Sequence, residues 1–197
     1  MKRRFFPGAL AIVTLLMIFS SCSAPTLTSE WDDTAYEGGP LKKILVMGVD
    51  ASTRTRRTLE ERFAVGLRER GAEVIPGYTI FPEDEMPQRE TVLRKVAELG
   101  VDSVLVVTTV SVRDIGTYET YPSLIGNGYY EYYVQCCNAA VSEGYSLKIQ
   151  AKVFDARSDK PIWSASSEEA FRYSIEPAID SFVSLVVGDL HKRKLLR

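Results

Sequence analysis

Histidine is nearly missing from this 197-residue chain, which has His191 and no other. Ser-His-Asp catalysis, His-rich metal sites and imidazole proton shuttles all need that side chain in a structured cleft. His191 falls instead in the basic run His191-Lys-Arg-Lys-Leu-Leu-Arg197, at the expected end of a helix, where cations complement the dipole. Cysteine is almost as scarce. Apart from Cys22 there are only Cys136 and Cys137, which are neighbours. A disulfide between neighbours closes a strained ring and staples no loop, and no CxxC or Cys/His spacing suggests zinc. The pair reads as two thiols, with a vicinal or intermolecular bond left open by an oxidising compartment.

Other signatures are missing too. There is no GxSxG, P-loop or GxGxxG, and Gly126-Asn-Gly128 is only a turn signal. Asp50, Asp114 and Glu168-Glu169 could meet as a carboxylate site, but surface solvation accounts for them as well. The expectation is therefore no catalytic residue, no metal and no cofactor. Positive charge is also lacking, since beyond residue 21 the chain has 21 Lys and Arg against 26 Asp and Glu. Nucleic-acid binding wants the opposite balance.

What is present begins at the N-terminus. Met1-Lys-Arg-Arg4 is cationic, Phe5 to Phe19 is almost wholly apolar, and Phe19-Ser-Ser-Cys22 follows. This resembles a bacterial lipoprotein signal, which implies removal of residues 1–21 and a diacylglyceryl group on Cys22. Ser23 after the cysteine resembles cargo sent to the outer membrane, with the protein facing the periplasm. A retained transmembrane anchor fits less well, because the apolar run is shorter than the roughly 20 residues a bilayer needs. Plain secretion with cleavage at Ser21 or Ala24 is the other alternative. Residues 22–41, rich in Ser, Thr, Pro, Gly and acids, read as a flexible tether in which Trp31 docks on either the domain or the membrane.

The folded part is expected over 42–197. Ile44–Val49 suits a strand buried on both faces, and Thr58-Leu-Glu-Glu61 has capping-box spacing before Leu59, Phe63 and Leu67, with Gly71 as a left-handed stop. A short strand at 72–75, a helix from Pro87 to Leu99 closed by Gly100, and an apolar strand over 101–112 follow. Tyr145 to Val153 alternates wet and dry, 162–171 can return antiparallel, and a last helix spans about 176–192. The pattern βαβαβ-ββα predicts one α/β domain, a mixed sheet of about five strands backed by three helices.

Two phrases, Thr58-Leu-Glu-Glu-Arg-Phe-Ala-Val-Gly-Leu-Arg-Glu-Arg-Gly-Ala-Glu-Val-Ile75 and Val153-Phe-Asp-Ala-Arg-Ser-Asp-Lys-Pro-Ile-Trp-Ser164, resemble the TolB amino-terminal-like domains of envelope lipoproteins of the LpoB and CsgG type. The resemblance implies a non-enzymatic module that binds an envelope protein or assembles with copies of itself. A CsgG-like oligomeric secretion subunit and an enzyme of unrecognised type are the alternatives.

Two stretches offer binding residues. Arg54, Arg56 and Arg57 crowd the start of a helix, where free amides and arginines together could hold a phosphate or carboxylate, although Asp50, Glu60 and Glu61 are close enough to neutralise them. The insertion 115–143 holds six of the ten tyrosines: Tyr118, Tyr121, Tyr129, Tyr130, Tyr132 and Tyr133. They suit a partner-binding surface, or packing over one end of the sheet.

Overall fold

The computed structural model describes residues 26–49, 52–81, 88–112, 146–170 and 175–197. In chain order the elements are β1 (Ser29–Asp32), β2 (Lys43–Val49), α1 (Thr53–Arg68), β3 (Glu73–Pro76), a 3-10 turn (Gly77–Thr79), α2 (Arg89–Leu99), β4 (Ser103–Val112), β5 (Ser146–Asp155), β6 (Lys160–Ala170) and α3 (Glu176–Lys192). They form one mixed sheet of six strands in the order β1-β6-β5-β4-β2-β3. The expected α/β architecture and its three helices are there.

The extra strand is the main difference. β1 lies inside the span read as a tether and pairs antiparallel with β6, Trp31 opposite Ser164 and Asp32 opposite Trp163. Its four residues carry too weak an apolar pattern to announce a strand; the neighbouring β6 edge supplies the pairing. The start of α1 also differs. The helix begins at Thr53, capped by Ser52, whose hydroxyl accepts from Thr55 N at 3.4 Å. Thr58 is interior and donates its hydroxyl to Arg54 O at 3.0 Å, so the capping-box spacing marks no boundary.

β2 pairs in parallel with β3 on one side and β4 on the other, whereas β4, β5 and β6 run antiparallel. Both faces of the parallel part are dry. Ile44, Val46, Leu105 and Val107 meet α1 and α3, where Phe63 and Phe182 pack edge to face at 6.1 Å. Leu45, Met47, Val104 and Val106 meet Val92 and Val96 of α2 on the other face. Fully burying a side chain of this size contributes about 1.5–3 kcal/mol, so these layers hold the domain together. Gly71 and Gly100 end their helices at φ +82° and +60°, as expected of left-handed stops.

Candidate interaction surface

Two places gather chemistry, and they lie in different halves of the sheet. The first is the carboxyl end of β2, where α1 starts. Arg56 and Glu60 are both buried, joined at 3.1 Å between Nε and Oε1. Glu60 Oε1 also accepts from Gly48 N at 2.8 Å, and Oε2 from Tyr78 N at 2.5 Å. One carboxylate thus ties α1 to β2 and to the turn after β3. The absence of side chains at Gly48 and Gly77 makes room for it: a Cβ at Gly48 would stand 3.1 Å from Glu60 Cγ, and one at Gly77 3.2 Å from Oε1. Burial pushes the Glu60 carboxyl above its ordinary range, against the pull of the two amides and Arg56.

The arginines expected at an anion site are thus placed individually. Arg56 faces Glu60; Arg57 reaches Glu61 at 3.3 Å and lies 4.7 Å over the Tyr78 ring; Arg54 is exposed. The structure brings the domain's own carboxylates to two of the three. Glu60 neutralises Arg56 as the sequence suggests, but its burial and its bonds to Gly48 and Tyr78 were not read from the sequence. The signal for that burial was available: a glutamate on the same helical stripe as Phe63, Ala64 and Leu67, with a glycine inside the buried strand beside it.

The second place is the antiparallel half. There α3 covers one face, and among the described residues no helix covers the other. Cross-strand register sets its rows: Trp31, Ser164, Lys152; then Ser166 and Gln150; then Glu168 and Lys148. Lys148, Gln150, Lys152 and Ser164 are half-buried and Glu168 is exposed. Trp31 closes the surface at the sheet edge, 47% exposed, and with Val65 it is one of two exposed large apolar residues among those described.

The edge is held from the other face. Arg193, just past α3, donates from Nε to Asp189 at 2.6 Å, from Nη1 to Asp32 at 2.5 Å and from Nη2 to Glu30 at 2.7 Å. Buried Trp163 donates its indole N–H to the same Asp189 oxygen at 2.9 Å. Leu41 N donates to Leu195 O at 3.0 Å, and Tyr36 packs on the core. The segment from Thr26 to Leu41 is therefore bound along the domain. Backbone and charge hold it together with the apolar contacts of Leu27, Tyr36 and Leu41.

Cys22, the pair Cys136 and Cys137, Asp50, Asp114 and the tyrosines Tyr118, Tyr121, Tyr129, Tyr130, Tyr132 and Tyr133 lie outside the described residues. Among the described residues no group of three or more His, Cys, Asp or Glu could hold a metal, and His191 Nδ1 sits 3.0 Å from Arg197 O.

No family model matches the chain, and no curated protein matches it. Among solved structures, the PelC dodecamer from Paraburkholderia phytofirmans is 15% identical, with 84% of this chain and 95% of that one covered at a TM-score of 0.47. Lipoprotein GNA1162 from Neisseria meningitidis is 18% identical over 77% of this chain and 99% of that one, TM-score 0.42. The LpoB C-terminal domain from Salmonella enterica is 11% identical over 68% and 87%, TM-score 0.39. At TM-scores below 0.5 these likenesses are too loose to transfer a property to this chain.

Proposed function

We propose that the protein is a bacterial envelope lipoprotein, anchored through acylated Cys22, whose domain is a non-catalytic module that binds an envelope protein through the open face of β5 and β6. The observation that carries this reading is the one-sided half-sheet, a polar strand surface bearing Lys148, Gln150, Lys152, Ser164 and Glu168 beside a half that is dry on both faces. Such a surface offers hydrogen bonds and charge on a rigid frame, which suits recognition better than chemistry. The non-catalytic part is supported by the way Glu60, the most deeply buried carboxylate among the described residues, is occupied by three structural donors.

The test is site-specific photo-crosslinking in cells at Gln150 and Ser164, with exposed Arg94 on α2 as the control position. A defined adduct at the first two, absent at Arg94, is expected. It should fade when Cys22→Ser moves the protein from the membrane fraction to the soluble envelope fraction. Equal labelling at all three positions removes the binding face, and a Cys22→Ser protein that is processed and fractionates normally removes the anchor.

A further inference from the structure

We infer that the β1 edge of the domain rests on the membrane, with Trp31 in the headgroup layer; this deepens the reading of Cys22 as a lipid anchor and rests on it. The first ground is reach. Trp31 lies nine steps along the chain from Cys22, and an extended chain spans at most about 3.3–3.6 Å per residue, so Trp31 stays within about 32 Å of the anchored cysteine. The second is rigidity. β1 is paired to β6 and clasped by Arg193 through Glu30 and Asp32, so Trp31 moves with the whole domain and not with a loose leash. β3, at the far edge of the six-stranded sheet, lies five strand spacings away, about 24 Å further from the tethered side.

The third ground is the side chain. Register puts Trp31 beside Ser164 on the face that Arg193 does not occupy, and it is about half exposed where most apolar side chains of its size are buried. Indoles settle at the bilayer interface, where the ring is shielded and the N–H stays wet. With the edge down, the open face stands sideways to the bilayer and stays accessible to a protein.

Tryptophan emission tests this, because the other tryptophan, Trp163, is fully buried. The acylated full chain is reconstituted in vesicles of phosphatidylethanolamine and phosphatidylglycerol, with and without lipids brominated near the carbonyl end of their acyl chains. Flotation reads the anchor. The difference between wild type and Trp31→Phe isolates Trp31, whose emission should shift to the blue and lose most of its intensity in brominated vesicles while Trp163 is unchanged. A protein that floats with Trp31 equally bright in both vesicles overturns the contact and leaves the anchor standing; a blue shift without quenching does the same, showing cover by protein. A protein that fails to float overturns the anchor, and the contact with it.

Discussion

The two halves of the sheet solve the same problem in opposite ways. The parallel half buries both faces and places its charge inside, as Glu60 with Arg56; the antiparallel half keeps one face wet and places its charge at the rim, as Arg193 with Asp189, Asp32 and Glu30. A buried charge pair and a rim charge cluster respond differently to loss of one member. Inside, the orphaned partner has no water to turn to. At the rim it does, and what is lost is a local attachment.

The largest effect should follow Glu60→Ala, which strands Gly48 N, Tyr78 N and Arg56 together and should cost about 3–5 kcal/mol in urea unfolding. Glu60→Gln keeps an acceptor and should cost clearly less. Gly77→Ala sharpens the same point. Its Cβ would stand 2.9 Å from Val46 O, and a loss of about 1–3 kcal/mol is expected. If Glu60→Ala unfolds at the wild-type urea concentration, the inner pair is not what joins α1 to the strand.

Arg193→Ala should lower global stability by only about 1–2 kcal/mol, but hydrogen exchange should speed up at Ser29–Asp32 while β2 and β4 keep their protection. Uniform loss of protection across the sheet would erase the contrast between the halves.

pH separates the halves by sign. Burial raises the Glu60 carboxyl above its ordinary 4.5, so its contribution is full below that value and is lost as pH rises through the folded-state pKa. Asp155 runs the other way: burial opposes its charge, but hydrogen bonds from Ser158 N, Ser158 Oγ and Arg157 N win and hold it below 3.8. Its contribution is present above 3.8 and is lost as pH falls through the folded value. Urea midpoints against pH should therefore show the stability gap between wild type and Asp155→Asn closing in acid. The gap for Glu60→Gln should move against the wild type as pH rises past 4.5. Trp31→Phe is the smallest change, within about 0.5 kcal/mol.

The parallel half was legible because its pattern is local. Ile44–Val49 reads as a continuous dry run, Gly100 stops a helix, and the last helix spans 176–192 as its apolar spacing indicates. The rim was not legible. Arg193 meets Glu30 and Asp32 across 163 and 161 residues of chain, a distance over which no periodicity operates. β1 stayed hidden for the same reason, since its pairing partner lies far along the chain. Glu60 fell between these cases: Arg56 at i−4 could be read from the helix, but its contacts to Gly48 and Tyr78 depend on two loops meeting.

The Arg193 clasp also sets how the domain bears a load. A pull on the chain before Thr26 loads the bonds of Thr26 and Thr28 to β6 first, then the pairing of β1 with β6 and the contacts of Arg193 to Asp32 and Glu30. Peeling that edge would free residues 26–32, a contour of about 23–25 Å at about 3.3–3.6 Å per residue. The first element to yield under tension is thus sacrificial, and the dry half of the sheet behind it carries none of the strain until that slack is spent.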